Sequence, residues 1–170
     1  MGMHTKQRLT KRRIALIQLE QSLNLLEAGD PVSALTLAGA AEEILGRMAS
    51  RKGHEPRVEY NADWLGSFYD WAKKTRPSKK QLIAILNTTR NHLKHQNNGR
   101  NIRVEANFQF EAEEMILRCI FNHFKAFGCY PAATRLTKQS AWKMRANFTS
   151  YREWRPWQLW LRETLRHAWL

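Results

Sequence analysis

Through most of the first 130 positions apolar residues recur at three- and four-residue spacing, the pattern of helices that bury one stripe. Leu9, Leu16, Leu19, Leu23 and Leu26 predict a first helix within residues 5–28. Its start is strongly basic, which opposes the helix dipole, so residues 1–8 read as a loose arm. Gly29 supplies the stop, Asp30 can cap the next helix and Pro31 suits a first helical position, so residues 31–52 fold back as the second arm of an antiparallel hairpin. This second helix is rich in small residues: Ala34, Ala38, Gly39, Ala40, Ala41 and Gly46. Glycine inside a helix costs about 1 kcal/mol relative to alanine. Two of them therefore point to a close approach by another backbone, at a tight helix crossing or a dimer seam. Glu42 and Glu43 interrupt the surface, either as solvated charges or as partners for an arginine.

Residues 54–61 read as a loop with a brief extended alternation at Val58 and Tyr60. Asn61 then caps a short helix over residues 62–74, whose Trp64, Leu65, Phe68 and Trp71 form a stripe that reads as core. Pro77 breaks that helix, Ser78 caps the next, and Asn97, Asn98 and Gly99 end it. Residues 102–110 alternate strictly, with Ile102, Val104, Ala106, Phe108 and Phe110 on one side, which predicts an extended segment paired with residues 57–60 or laid along the helices. Residues 111–127 return to helical spacing before Gly128. The expected fold is all-α: an antiparallel bundle of about five helices, a short extended segment at 102–110 and a basic, Trp-rich helical tail.

Length and charge refine this picture. With 170 residues the chain accommodates one domain with its own core plus an appendage. The expected parts are a basic arm at 1–13 leading into the first helix, a helical bundle at 10–130 and an extension at 131–170. The net charge of +13 sits mainly at the ends: residues 1–13 hold five Lys/Arg and no acid, and residues 135–170 hold eight against two acids. Such ends suit a polyanion, with nucleic acid the leading partner class and an anionic membrane the second; solubility alone is the plain explanation. The extension interleaves Trp142, Trp154, Trp157, Trp160 and Trp169 with its cations, and can dock on the body, lie on a membrane or stack bases. Cys119 and Cys129 read as reduced, structural thiols. No apolar run is long enough to span a bilayer and no signal-type segment follows the basic start, so the expected location is cytoplasmic.

Candidate chemistry concentrates in residues 90–95, Arg-Asn-His-Leu-Lys-His. At about 100° per residue, Arg90, Lys94, Asn91 and His95 share one polar arc, while Leu82, Ile85, Leu86, Thr89 and Leu93 lie opposite. A guanidinium binds phosphate through paired hydrogen bonds and stabilises charge developing on phosphorus, and an imidazole moves a proton near neutrality. With a ribose 2′-hydroxyl as nucleophile these are the parts of a metal-free ribonuclease that needs no cofactor. One histidine supplies only the acid or the base, so a symmetric dimer would complete the pair.

Arg90, Asn91 and His95 also match the Arg-x4-6-His pattern, with a polar residue directly after the arginine, and in this the chain resembles the HEPN superfamily of helical nucleotide-binding domains. The resemblance covers roughly residues 10–130. It implies a helical bundle that dimerises across the motif helices, acting as a metal-independent endoribonuclease that leaves 2′,3′-cyclic phosphate ends, often as a toxin with an antitoxin partner or in phage defence. It equally admits a non-catalytic module that binds RNA, nucleotides or protein. By the same resemblance Arg90 would stabilise the phosphate, His95 would transfer protons and Asn91 would orient the site. Lys94 and His92 stand beside the motif as candidate RNA-binding residues by local charge. Arg, Asn and His near a helix C-terminus also serve simply as dipole and cap partners. A metal site at His92 and His95 lacks further ligands at suitable spacing, and none is assigned.

Overall fold

The computed structural model describes residues 6–94 and 103–131. Among these, six helices and no strand occur: α1 (Lys11–Glu27), α2 (Pro31–Arg51), α3 (Arg57–Trp71), α4 (Lys79–Leu86), α5 (Thr88–Lys94) and α6 (Phe108–Phe127). The fold is the expected all-helical bundle. Its core is the three-way contact of α1, α2 and α6, closed by Ala15, Leu19, Leu35, Leu45, Met115 and Ile120, all essentially without solvent exposure.

Local signals explain most boundaries. Asp30 accepts from the Ser33 amide at 3.0 Å at the start of α2, with Pro31 as the first residue. Ser78 and Gln81 form a reciprocal capping box on α4, each side chain bonding the other residue's backbone amide. Gly128 ends α6 in the left-handed conformation, φ 69°, with its amide bonded to the Phe124 carbonyl at 2.8 Å. The α1–α2 hairpin follows from the three-residue turn between them.

Five boundaries differ from the sequence reading. α1 begins at Lys11, where the Thr10 hydroxyl accepts from the Arg13 amide and so satisfies a first-turn donor that a basic start leaves open. α3 begins at Arg57 instead of 62, because Pro56 takes the N-cap position and the Arg57 amide is satisfied from outside the helix, by Asn122 Oδ1 at 2.7 Å. It ends at Trp71, since Lys73 turns left-handed, φ 53°, and the Lys74 amide closes back onto the Tyr69 carbonyl. The expected single helix through residue 97 is broken at Asn87 into α4 and α5. The segment expected to be extended over 102–110 is already helical from Phe108, because Asn107 caps α6 by accepting from the Phe110 amide.

The aromatic stripe of α3 is only partly core. Leu65 is buried, Trp64 and Phe68 are half-buried, and Trp71 is 76% exposed. No helix of the described residues is long and apolar enough to cross a membrane. Residues 1–5, the stop at 97–99, Ile102 and the Trp-rich extension from 132 onward lie outside the described residues.

Candidate functional site

The break at Asn87 orients the candidate residues, and Arg118 of α6 produces it. Its guanidinium donates to Asn87 Oδ1 at 3.0 Å and to the Leu86 carbonyl at 3.2 Å, both from a buried position. In an uninterrupted α-helix that carbonyl would serve the amide of Arg90. α5 resumes from the Asn87 carbonyl, which accepts from the Asn91 amide at 2.9 Å. It is a short helix without a fully buried residue, and its Arg90 and Lys94 both reach α2.

Arg90 is the principal tie. Its aliphatic stem lies against Gly39 of α2 so closely that a Cβ there would sit 2.6 Å from Arg90 Cδ. Its guanidinium reaches Glu42 Oε2 at 3.6 Å, with both side chains largely buried. One turn along α5, Lys94 lies 3.7 Å from Glu43. Glu42 is thus the buried partner of an arginine, whereas Glu43 is an exposed carboxylate that pairs more closely with Arg47 of its own helix, at 2.8 Å, than with Lys94. Most small residues of α2 are used within the chain: Gly39 receives Arg90, Gly46 faces Asn122 and Pro56, and Ala34, Ala38, Ala41 and Ala49 are buried, whereas Ala40 is half-buried. At Gly39 the close neighbour is a side chain, where the sequence reading expected a backbone.

Glu42 also accepts from Asn122 Nδ2 at 3.2 Å, and the other end of that amide holds the first turn of α3. Burial pushes the Glu42 carboxyl above its ordinary pKa, while Arg118 and Arg90 pull it back down. A single carboxyl therefore links α2 to α5 and α6, and through Asn122 to α3. Cys119 sits in the same layer with its thiol directed at the Ala38 carbonyl, and burial raises its pKa well above the usual thiol range.

Of the residues singled out from the sequence, Arg90, Asn91, His92 and Lys94 all lie on α5. Arg90 Nη2 is 3.4 Å from Asn91 Oδ1, a long contact that joins the pair, and Arg90 Nε is buried with no hydrogen-bond partner. Asn91 is half-buried, whereas His92 and Lys94 are exposed residues at the surface. His95 lies outside the described residues. Within the arc Arg90 and Lys94 turn onto α2, while His92, which stood beside the arc, faces solvent.

Arg118 and Asn122 were not singled out, though Met115, Arg118, Cys119, Asn122 and Ala126 follow helical spacing and are all buried. Polar residues at the centre of an apolar stripe were the available signal, since burial requires them to have partners. Among the described residues no group of three or more His, Cys, Asp or Glu side chains converges as a metal site would. No family model matches the chain, and no curated protein or solved structure does so either.

Proposed function

We propose that the chain is a cytoplasmic, metal-independent endoribonuclease of HEPN type, with α5 as its working edge and a homodimer as its active form. The observation that carries this reading is the anchoring of Arg90: a buried carboxyl on one side and Gly39 beneath its stem hold the guanidinium in one place beside Asn91. A cation fixed before substrate arrives loses little freedom on binding a phosphate and can act on charge as it develops.

In the proposed reaction the ribose 2′-oxygen attacks the adjacent phosphorus and the bond from phosphorus to the 5′-oxygen breaks. A base removes the 2′-hydroxyl proton, an acid protonates the leaving 5′-oxygen, and the products are a 2′,3′-cyclic phosphate and a 5′-hydroxyl. His95 serves as one of these groups and the histidine of a second copy as the other. Arg90 stabilises the negative charge on the non-bridging oxygens, Asn91 orients the phosphate, and Lys94 and His92 bind the flanking RNA. By the HEPN resemblance, such an activity would serve as a toxin with an antitoxin partner or in phage defence.

The Arg90–Glu42 contact also favours a second reading. Glu42 offsets much of the charge of Arg90, and a buried ion pair of this kind anchors a short helix without any chemistry. On that reading the fold is a non-catalytic RNA-, nucleotide- or protein-binding module. Structured and unstructured RNA incubated in EDTA with wild type, Arg90→Ala and His95→Ala separates the two. Cyclic phosphate ends from wild type alone support the ribonuclease; cleavage by both variants, or none by wild type, rejects it.

A further inference from the structure

The last two turns of α6 carry a second chemically equipped surface, apart from α5. The Asn122 bond to the Arg57 amide sets the start of α3 beside α6. The Arg57 guanidinium then lies between two rings, 4.6 Å from the Tyr60 centroid and 4.4 Å from that of Phe121. Lys125 stands 6.0 Å from the same Tyr60 ring, its ammonium donating to the Glu55 carbonyl. One turn on, Phe124 and Tyr130 stack with centroids 4.8 Å apart. At the α1 edge Arg12 covers the Phe127 ring at 4.1 Å.

Three of these rings keep much of their surface open to solvent. Tyr60, Phe124 and Tyr130 are 47%, 41% and 44% exposed, though each is already stacked or covered on one side by a ring or a cation. Cations adjoin the rings, Arg57 and Lys125 at Tyr60 and Arg12 at Phe127, and Lys11 and Arg13 are exposed at the same end of α1. Acids lie nearby as well: Lys79 is shared by Glu55 at 3.1 Å, Glu59 at 3.4 Å and Asp63 at 3.0 Å, and Glu114 of α6 is close enough to Arg57 to feel its charge.

We propose that the Tyr60, Phe124 and Tyr130 surface is a platform for single-stranded RNA, on which bases stack against the open ring faces while Arg57, Lys125 and Arg12 meet the phosphates. Rings spaced among cations fit an unpaired strand, because every base offers a face to stack and every phosphate a charge. A duplex keeps its bases stacked on one another and cannot use the rings. That the strand is RNA rests on the ribonuclease reading of α5; the platform itself rests on the ring geometry.

The test uses the full chain and two fluorescein-labelled probes, an oligouridylate of about 12 nucleotides and a hairpin duplex of matched length. Anisotropy is read for wild type, Tyr60→Ala, Tyr130→Ala, their double variant and Trp71→Ala, a control ring exposed on α3. Each platform variant is expected to weaken oligouridylate binding about tenfold with little change for the hairpin, and Trp71→Ala to bind as wild type. Matching thermal melts establish that the variants are folded. The proposal is overturned if the folded double variant binds oligouridylate within about twofold of wild type, or if Trp71→Ala is equally damaging. The two readings fail separately, since the ribonuclease is judged by cleavage ends from Arg90 and His95 variants and the platform by ring-dependent affinity.

Discussion

Gly39→Ala tests whether α2 is shaped around Arg90. Alanine is favoured over glycine inside a helix by about 1 kcal/mol, so with nothing nearby the change would stabilise the protein by that amount. Here the new methyl group would lie 2.6 Å from Arg90 Cδ and 3.0 Å from Cγ. These atoms belong to the middle of the side chain, held at its base by α5 and at its tip by Glu42, so they cannot simply swing aside. Relief requires a movement of close to an ångström, which draws the guanidinium off a carboxylate it reaches at only 3.6 Å. Overpacking of this sort costs about 1–3 kcal/mol. The expected net loss is therefore about 1 kcal/mol, within the range left after the propensity gain. In an Arg90→Ala background the obstacle is gone, and the same Gly39→Ala change should stabilise by about 1 kcal/mol. Urea unfolding of the four proteins, read as a midpoint shift at constant slope, measures this reversal of sign. Gly46→Ala is the comparison, because its nearest neighbour, Asn122 Nδ2, is 3.3 Å away and the carboxylate behind it 3.7 Å. A Gly39→Ala variant that stabilises equally in both backgrounds would show that Arg90 does not occupy this position.

Two further perturbations address the surroundings. Arg118→Met removes the donor to Asn87 and the Leu86 carbonyl and leaves Glu42 with one fewer guanidinium, so a loss of about 3–5 kcal/mol in urea unfolding is expected, with amide exchange in α5 rising ahead of α6; exchange that rises uniformly would count against a local role. Burial lowers the His123 pKa below the ordinary 6.5, the hydrogen bond of its Nδ1 with the Cys129 carbonyl at 2.9 Å opposes that shift, and Arg12 adds to it. As pH falls past that ordinary value the unfolded chain takes up the proton first, so stability should decline until the lower folded pKa is passed, and His123→Gln should flatten that slope.

The hairpin of α1 and α2 was legible because its turn is spelled by adjacent residues, Gly29, Asp30 and Pro31, each acting locally. The boundaries that were missed depend on distant residues or on caps hidden in another pattern. The start of α3 is satisfied by Asn122, 65 positions away, and the break between α4 and α5 is made by Arg118, 31 positions from Asn87. Asn107 looked like one polar step in an alternating segment, yet its side chain is a helix cap, and a period of two over so few residues could not tell these apart. At the candidate site, Arg90 and Asn91 were legible as neighbours on one helix. That the stem of Arg90 would fill the space above Gly39, and that Glu42 would be its partner, required the crossing of α5 over α2, which no local pattern encodes.

The chain has two cysteines, and the fold separates their fates. Cys119 is sealed in the bundle, whereas Cys129, just past the left-handed Gly128, presents a free thiol to solvent. Two molecules meeting in air can couple through Cys129 into a covalent pair that mimics, in mass and in chromatography, the homodimer proposed for cleavage. Such a species would owe nothing to α5. Association that survives thiol reductant and a Cys129→Ser replacement is therefore the form of dimer that bears on the mechanism, and one that dissolves on reduction is an artefact of oxidation.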